Sequence, residues 1–217
     1  MNKSGELTDE AVQPAPAAVP PAPGLPSPGR PPSTTRHHLQ QIAIEMFTAH
    51  GYDEVTIEAL AAAAGIGRRT FFRYFGSKAD ALMADFDQEV ERLRSTLADS
   101  DPELPVMDAI RGAIVAVNDY HTEDLAQFRQ RLQLQHNNPA LLANGILHYE
   151  RWQSVVAEFA AVRLGQAADD LLPQVIARSV FGAAYAGFMS WLADDSGDLS
   201  PRLDAALRTL TKAGQLR

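Results

Sequence analysis

Between Thr56 and Lys78 the chain reads TIEALAAAAGIGRRTFFRYFGSK. Its glycines cut this stretch into helices of about seven residues, too short to be stable alone, so each must pack on a neighbour. Thr56 stands where an N-cap belongs, and Ile57, Leu60, Ala61 and Ala64 follow at the three-and-four spacing of one apolar stripe. Gly65 stops that helix, because the residue just past a helix end often needs a left-handed backbone, which glycine adopts without steric cost. Gly67 keeps the bend tight and is a weak cap for a second helix from Arg68. Phe71 and Phe75, four apart, face inward, leaving Arg68, Arg69, Thr70, Phe72 and Tyr74 outside or on the flank. Ser77 is expected to open a further helix running to Ala98, with Asp80 at the acidic position of a capping box and Lys78 in the first turn.

An apolar helix, a glycine bend and a short helix with adjacent arginines form the order that sets a basic helix in a DNA major groove. On that reading Arg68, Arg69 and Thr70 reach base edges or the nearby backbone, while Thr56, Tyr74 and Lys78 reach phosphates. Lys78 opposes the dipole of the helix it would start, and a phosphate at that helix end would offset the cost.

The segment Thr34 to Leu82, with its FFRYF and GSK, resembles the DNA-binding domain of the TetR family of transcriptional regulators. DFDQEVERLR and YERWQSVVAEFAAVRLG resemble, more loosely, the mycofactocin-linked branch of that family. The resemblance implies an all-helical homodimer with a variable ligand-binding core, and for that branch long-chain acyl-CoA as effector. The expected function is thus a ligand-responsive regulator, a repressor, bound to a palindromic double-stranded operator and released by a small molecule. Three positions depart from the family pattern. Gly67 replaces a capping serine, Tyr74 replaces a common histidine, and Phe72 replaces a tyrosine. Phe72 has no hydroxyl for a phosphate and is expected on sugar or a thymine methyl group.

A net charge of −8 argues at first against a nucleic-acid partner. Its distribution reverses that. Residues 30–80 carry a slight basic excess, concentrated in Arg68, Arg69, Arg73 and Lys78, and the acid lies mainly downstream. Nine of the fourteen prolines fall in residues 1–32, which are expected to form a disordered Pro/Ala-rich tail. At its end Arg30 is either a minor-groove arm or an ordinary linker residue. The chain has no cysteine, no secretory signal pattern and no apolar run read as a membrane span, so a cytoplasmic protein without membrane contact is expected.

No strand-like alternation persists, and the class is all-α. Domains are expected at 33–80 for DNA binding and 81–217 for ligand binding and dimerisation, with body helices near 105–120, 123–136, 139–164, 170–194 and 200–213. In the helix near 170–194, Phe181, Gly182, Tyr185 and Phe188 set small residues beside large ones. With Leu203 and Leu207 of the last helix they are read as a dimer interface, a four-helix bundle across a two-fold axis; filling of the monomer core is the alternative. Phe128, Arg129, Tyr149, Trp152, Phe159 and Tyr185 are candidates for a mostly apolar cavity with an arginine for an anionic ligand end. Enzyme readings find no support. The histidines lack metal-ligand spacing, Gly65-Ile66-Gly67 has no preceding strand or third glycine, and no nucleophile–base set is present, so neither metal nor cofactor is expected. The competing reading is a helical ligand-binding or protein-adaptor module that does not bind DNA.

Overall fold

The computed structural model describes residues 35–120, 122–194 and 198–213, and every regular element among them is helical. The tail at 1–32, with Arg30, lies outside the described residues. Helix α1 spans Arg36–His50; the Thr35 hydroxyl accepts from the His38 amide at 3.1 Å, and Gly51 ends the helix with φ at +85°. Its inner face buries Leu39, Ala43, Ile44 and Phe47, with Ile42 and Met46 half-covered. Helices α2 (Ile57–Ala63) and α3 (Arg68–Tyr74) are joined by a bend in which Gly65 has φ of +66°. Phe71 and Phe75 are buried against Leu60, Phe47 and Leu82, each worth about 1.5–3 kcal/mol of transfer free energy.

The continuous helix expected from Ser77 is not formed. The Ser77 hydroxyl does accept the Asp80 amide at 3.2 Å, but only a short 3-10 turn, Asp80–Met83, follows. Helix α4 begins anew at Phe86 and runs to Ala98. The interruption has tertiary causes. The Leu82 carbonyl accepts from the buried Gln40 amide of α1 at 2.8 Å, and the Asp80 carboxylate accepts from Asn144 at 2.8 Å instead of turning back to cap the helix.

The body comprises α5 (Val106–Val117), α6 (Thr122–Asn137), α7 (Pro139–Leu164), α8 (Leu171–Leu192) and α9 (Leu199–Ala213). Asn138 caps α7 by accepting from the Ala140 and Leu141 amides, Pro139 occupies its first turn, and left-handed Gly165 ends it. Phe86, Val90, Leu93 and Leu97 form the apolar stripe of α4, buried against α5 and α7. Head and body share packing, because Leu141 of α7 is buried in the same cluster as Leu39, Phe47 and Phe71. Residues 33–217 accordingly form one compact unit.

Helix α8, 22 residues long, reaches a mean hydropathy of 1.2 over an eighteen-residue window, enough by length and composition to cross a membrane. That corrects the expectation that no such run exists. Here α8 packs between α7 and α9 and buries Pro173, Ala177, Val180, Ala184, Gly187 and Trp191.

Candidate nucleic-acid interface and effector cavity

Helix α3 is held from beneath by Phe71 and Phe75, so its opposite face is presented on a fixed base. Arg68 and Arg69 are exposed in its first turn, Thr70 is half-buried, and Phe72 is 42% exposed. Arg68 pairs with Glu58 of α2 at 2.7 Å and lies 5.5 Å from the Phe72 ring, both contacts at the exposed surface. Arg69 makes no ion pair or side-chain hydrogen bond among the described residues. Two cations at a helix N-terminus oppose its dipole, and an external anion relieves that repulsion. Thr56 is exposed, and its hydroxyl oxygen caps α2 by accepting from Ala59 at 3.1 Å, leaving the hydroxyl proton to donate. Tyr74 is half-buried at the end of α3, with Arg73 5.5 Å from its ring.

Lys78 is placed differently from the expectation. Its ammonium donates to the carbonyls of Tyr52 at 2.6 Å and Val55 at 2.9 Å, approaches that of Asp53 at 3.4 Å, and sits 4.1 Å from the Tyr52 ring. An ammonium has three donors. Two are used on the Tyr52 and Val55 carbonyls and the third lies near that of Asp53, so Lys78 fastens the turn ahead of α2 to the segment behind α3.

The recognition helix is tied to α4 through α1. Arg36 donates to the Tyr74 carbonyl at 2.8 Å and to the Ala84 carbonyl at 3.4 Å, while His37 contacts Asp85 at 2.6 Å. Arg36 and His37 carry these contacts without any local motif to mark them.

On its other face α4 lines a cavity of about 80 Å³ with α5, α6, α7 and α8. Four of the expected ligand residues line it: Phe128, Tyr149, Trp152 and Tyr185. Two do not. Arg129 donates to the Trp191 and Asp194 carbonyls and covers the Trp191 ring at 4.1 Å, which caps the end of α8. Phe159 packs in the core behind, with Arg163 over its ring. The cation at the cavity is Arg131, two residues on and so on the opposite face of α6, with its side chain 8% exposed and paired to Glu89 of α4 at 2.7 Å. Burial disfavours the Arg131 charge, but Glu89 and the phenols of Tyr120 and Tyr149 outweigh it and hold the guanidinium pKa above its ordinary value. Burial likewise raises Tyr120, and pushes Tyr149 up to about 12. Arginine spacing alone could not choose Arg131 over Arg129, because both lie on α6 and differ only in which face meets α4.

The expected dimer residues divide. Leu203 and Leu207 are buried in the chain's own core, whereas Phe181, Tyr185 and Phe188 are half-buried and line the cavity. Gly182 is exposed, with open space where a Cβ would stand. Along the same helix Leu171, Leu172, Val175 and Ala186 are also exposed, with Leu171 80% exposed; the three large residues of this stripe are not marked by any small-residue pattern.

A family model described as bacterial regulatory proteins of the tetR family matches residues 41–84, and one described as the MftR C-terminal domain matches residues 104–215. The chain belongs to the TetR family. It is therefore a transcriptional regulator and not an enzyme. This TetR-family chain is 37% identical over 178 residues to the protein assigned as mycofactocin biosynthesis transcriptional regulator MftR of Mycobacterium tuberculosis, covering 82% of this chain and 90% of that one. Among solved structures, the fatty acid degradation regulator FadR of Bacillus halodurans superposes with a TM-score of 0.58 at 18% identity, covering 83% of this chain and 96% of that chain. The TetR-family repressor FadR of Thermus thermophilus, in complex with lauroyl-CoA, gives a TM-score of 0.54 at 22% identity, with 84% and 96% covered. These two likenesses establish the shared fold.

Proposed function

We propose that this TetR-family chain is a cytoplasmic repressor that binds a palindromic operator as a homodimer and leaves it when a long-chain acyl-CoA binds. The proposed organisation is a tail at 1–32, a DNA-binding head at 33–80 and a ligand-binding and dimerisation body at 81–217. One observation carries the regulatory part: α4 lines the cavity, and the Ala84–Asp85 turn leading into it is held by Arg36 and His37 of α1, Arg36 also reaching the Tyr74 carbonyl at the end of α3. At about 80 Å³ the cavity is well below the roughly 300–1,000 Å³ of a small-molecule pocket. A long acyl chain must part the surrounding helices to enter, so the bound and free forms differ in α4, and the ligand shifts the balance by that difference in affinity. The aromatic lining suits the chain, and Arg131 suits an anionic end. T. thermophilus FadR, of the same fold, holds lauroyl-CoA.

In this reading Arg68, Arg69 and Thr70 address base edges, Thr56, Tyr74 and Phe72 address the backbone or a thymine methyl group, and Lys78 positions the head. The subunits join through the exposed stripe of α8, one recognition helix per half-site. Titrating the full chain against DNA from upstream of its own gene, with and without dodecanoyl-CoA, tests this. Specific binding reversed by dodecanoyl-CoA is expected; dodecanoyl-CoA bound with no affinity for any duplex would favour the adaptor reading.

A further inference from the structure

The Glu89–Arg131 pair stands in the wall between two spaces of opposite character. On one side is the aromatic cavity, whose only charged lining residues, among those described, are these two. On the other is a polar cleft of about 240 Å³, lined by His37 of α1, Asp85 just ahead of α4, Arg92 of α4, and Asp124 and Gln127 of α6. Glu89 and Arg131 line both, as do Tyr120 and Phe128. The Phe128 ring lies 5.0 Å from the Arg131 guanidinium and limits where that group can turn.

We propose that Arg131 receives the anionic head of an amphipathic ligand and that Glu89 is a built-in competitor for it, so that ligand charge adds to ligand bulk in releasing α4. The inference rests on the regulator reading above. A guanidinium fork takes a carboxylate or a phosphate equally well in geometry, so an incoming head can replace Glu89 on Arg131. Glu89 cannot then stay where it is, because a carboxylate in an apolar wall without a partner is strongly disfavoured. Its side chain is 20% exposed and borders the polar cleft, so the exit is toward Arg92 and water. Once the pair opens, α4 loses this ion pair to α6 while the Ala84–Asp85 turn ahead of it keeps its contacts to α1. Motion of α4 is thereby carried to Arg36 and the Tyr74 carbonyl at the end of the recognition helix. A neutral ligand of equal length leaves the pair closed.

Trp152 lines the cavity, so its fluorescence reports occupancy. The test titrates the full-length protein and its Glu89→Gln and Arg131→Met variants with decanoate, decanol and decyltrimethylammonium. Expected results are a preference of the wild type for decanoate, a further gain of about tenfold for decanoate alone in Glu89→Gln, and equal affinity for decanoate and decanol in Arg131→Met. Unchanged decanoate affinity in Glu89→Gln, a surviving anion preference in Arg131→Met, or a wild type that binds none of the three overturns the proposal. Should Arg131→Met fail to fold, Glu89→Gln decides alone, since it preserves size and hydrogen bonding. Operator anisotropy on the same ligand-free wild-type samples separates the two claims. Absent operator binding with the expected charge pattern removes the regulator reading and keeps the competition at Arg131, whereas operator binding without that pattern does the reverse.

Discussion

Two cations of the same segment have opposite tasks, and a substitution at each distinguishes them. Arg69 is exposed with no intramolecular ion pair among the described residues, so Arg69→Ala leaves the fold intact, weakens operator binding and lowers the salt slope by about one. Lys78 is bound to two or three carbonyls of its own chain, so Lys78→Ala lowers stability by about 1–2 kcal/mol in a urea melt and leaves the salt slope unchanged. A slope that fell by one in Lys78→Ala, at unchanged stability, would return this residue to the phosphate contacts. The sequence pattern marked both as basic and near a helix start. It could not show that the ammonium of Lys78 folds back, because the carbonyls it meets are more than twenty residues earlier. Tyr149 supplies a prediction in pH. Burial raises its pKa to about 12 in the folded chain, above the ordinary value of 10.0. A folded pKa above the unfolded one means that stability is fully present below pH 10 and is lost as pH climbs toward 12. Alkaline melts should thus show the steepest fall in that interval, and Tyr149→Phe should flatten it.

Among the helices, the small residues of α8 belong to two faces that the composition of the segment blends into one. A Cβ at Gly187 would stand 3.2 Å from the Ala206 Cβ and 3.3 Å from the Leu203 backbone, so this glycine lets α9 approach within the chain. Gly182 faces open space. Gly187→Ala should destabilise the protein by about 1–3 kcal/mol through overpacking, and Gly182→Ala should be neutral or slightly stabilising in the monomer. Equal melting of the two variants would contradict this assignment of faces. Helix boundaries in the body were legible from proline, asparagine and glycine positions, as at Asn138-Pro139 and Gly165. The break between Ser77 and Phe86 was not, because the competing hydrogen bonds come from Gln40 and Asn144 on distant helices.

For the molecule as a whole, the proposed dimer places the exposed α8 stripe at the two-fold axis. Leu171→Glu combined with Val175→Glu should give a folded monomer by sedimentation and abolish tight operator binding, since each half-site is then bound alone. An unchanged dimer would move the interface elsewhere. What the linear chain determined by itself was the bent helix pair and its outward arginines, the all-helical class and the aromatic supply of a cavity, because caps, glycine turns and apolar spacing act within a few residues. Tertiary structure alone decided which arginine meets that cavity, which leucines are core and which are exposed, and how α4 joins the ligand space to the recognition helix. Those outcomes depend on which faces of separate helices come together, and one helix's periodicity carries no record of its partner's.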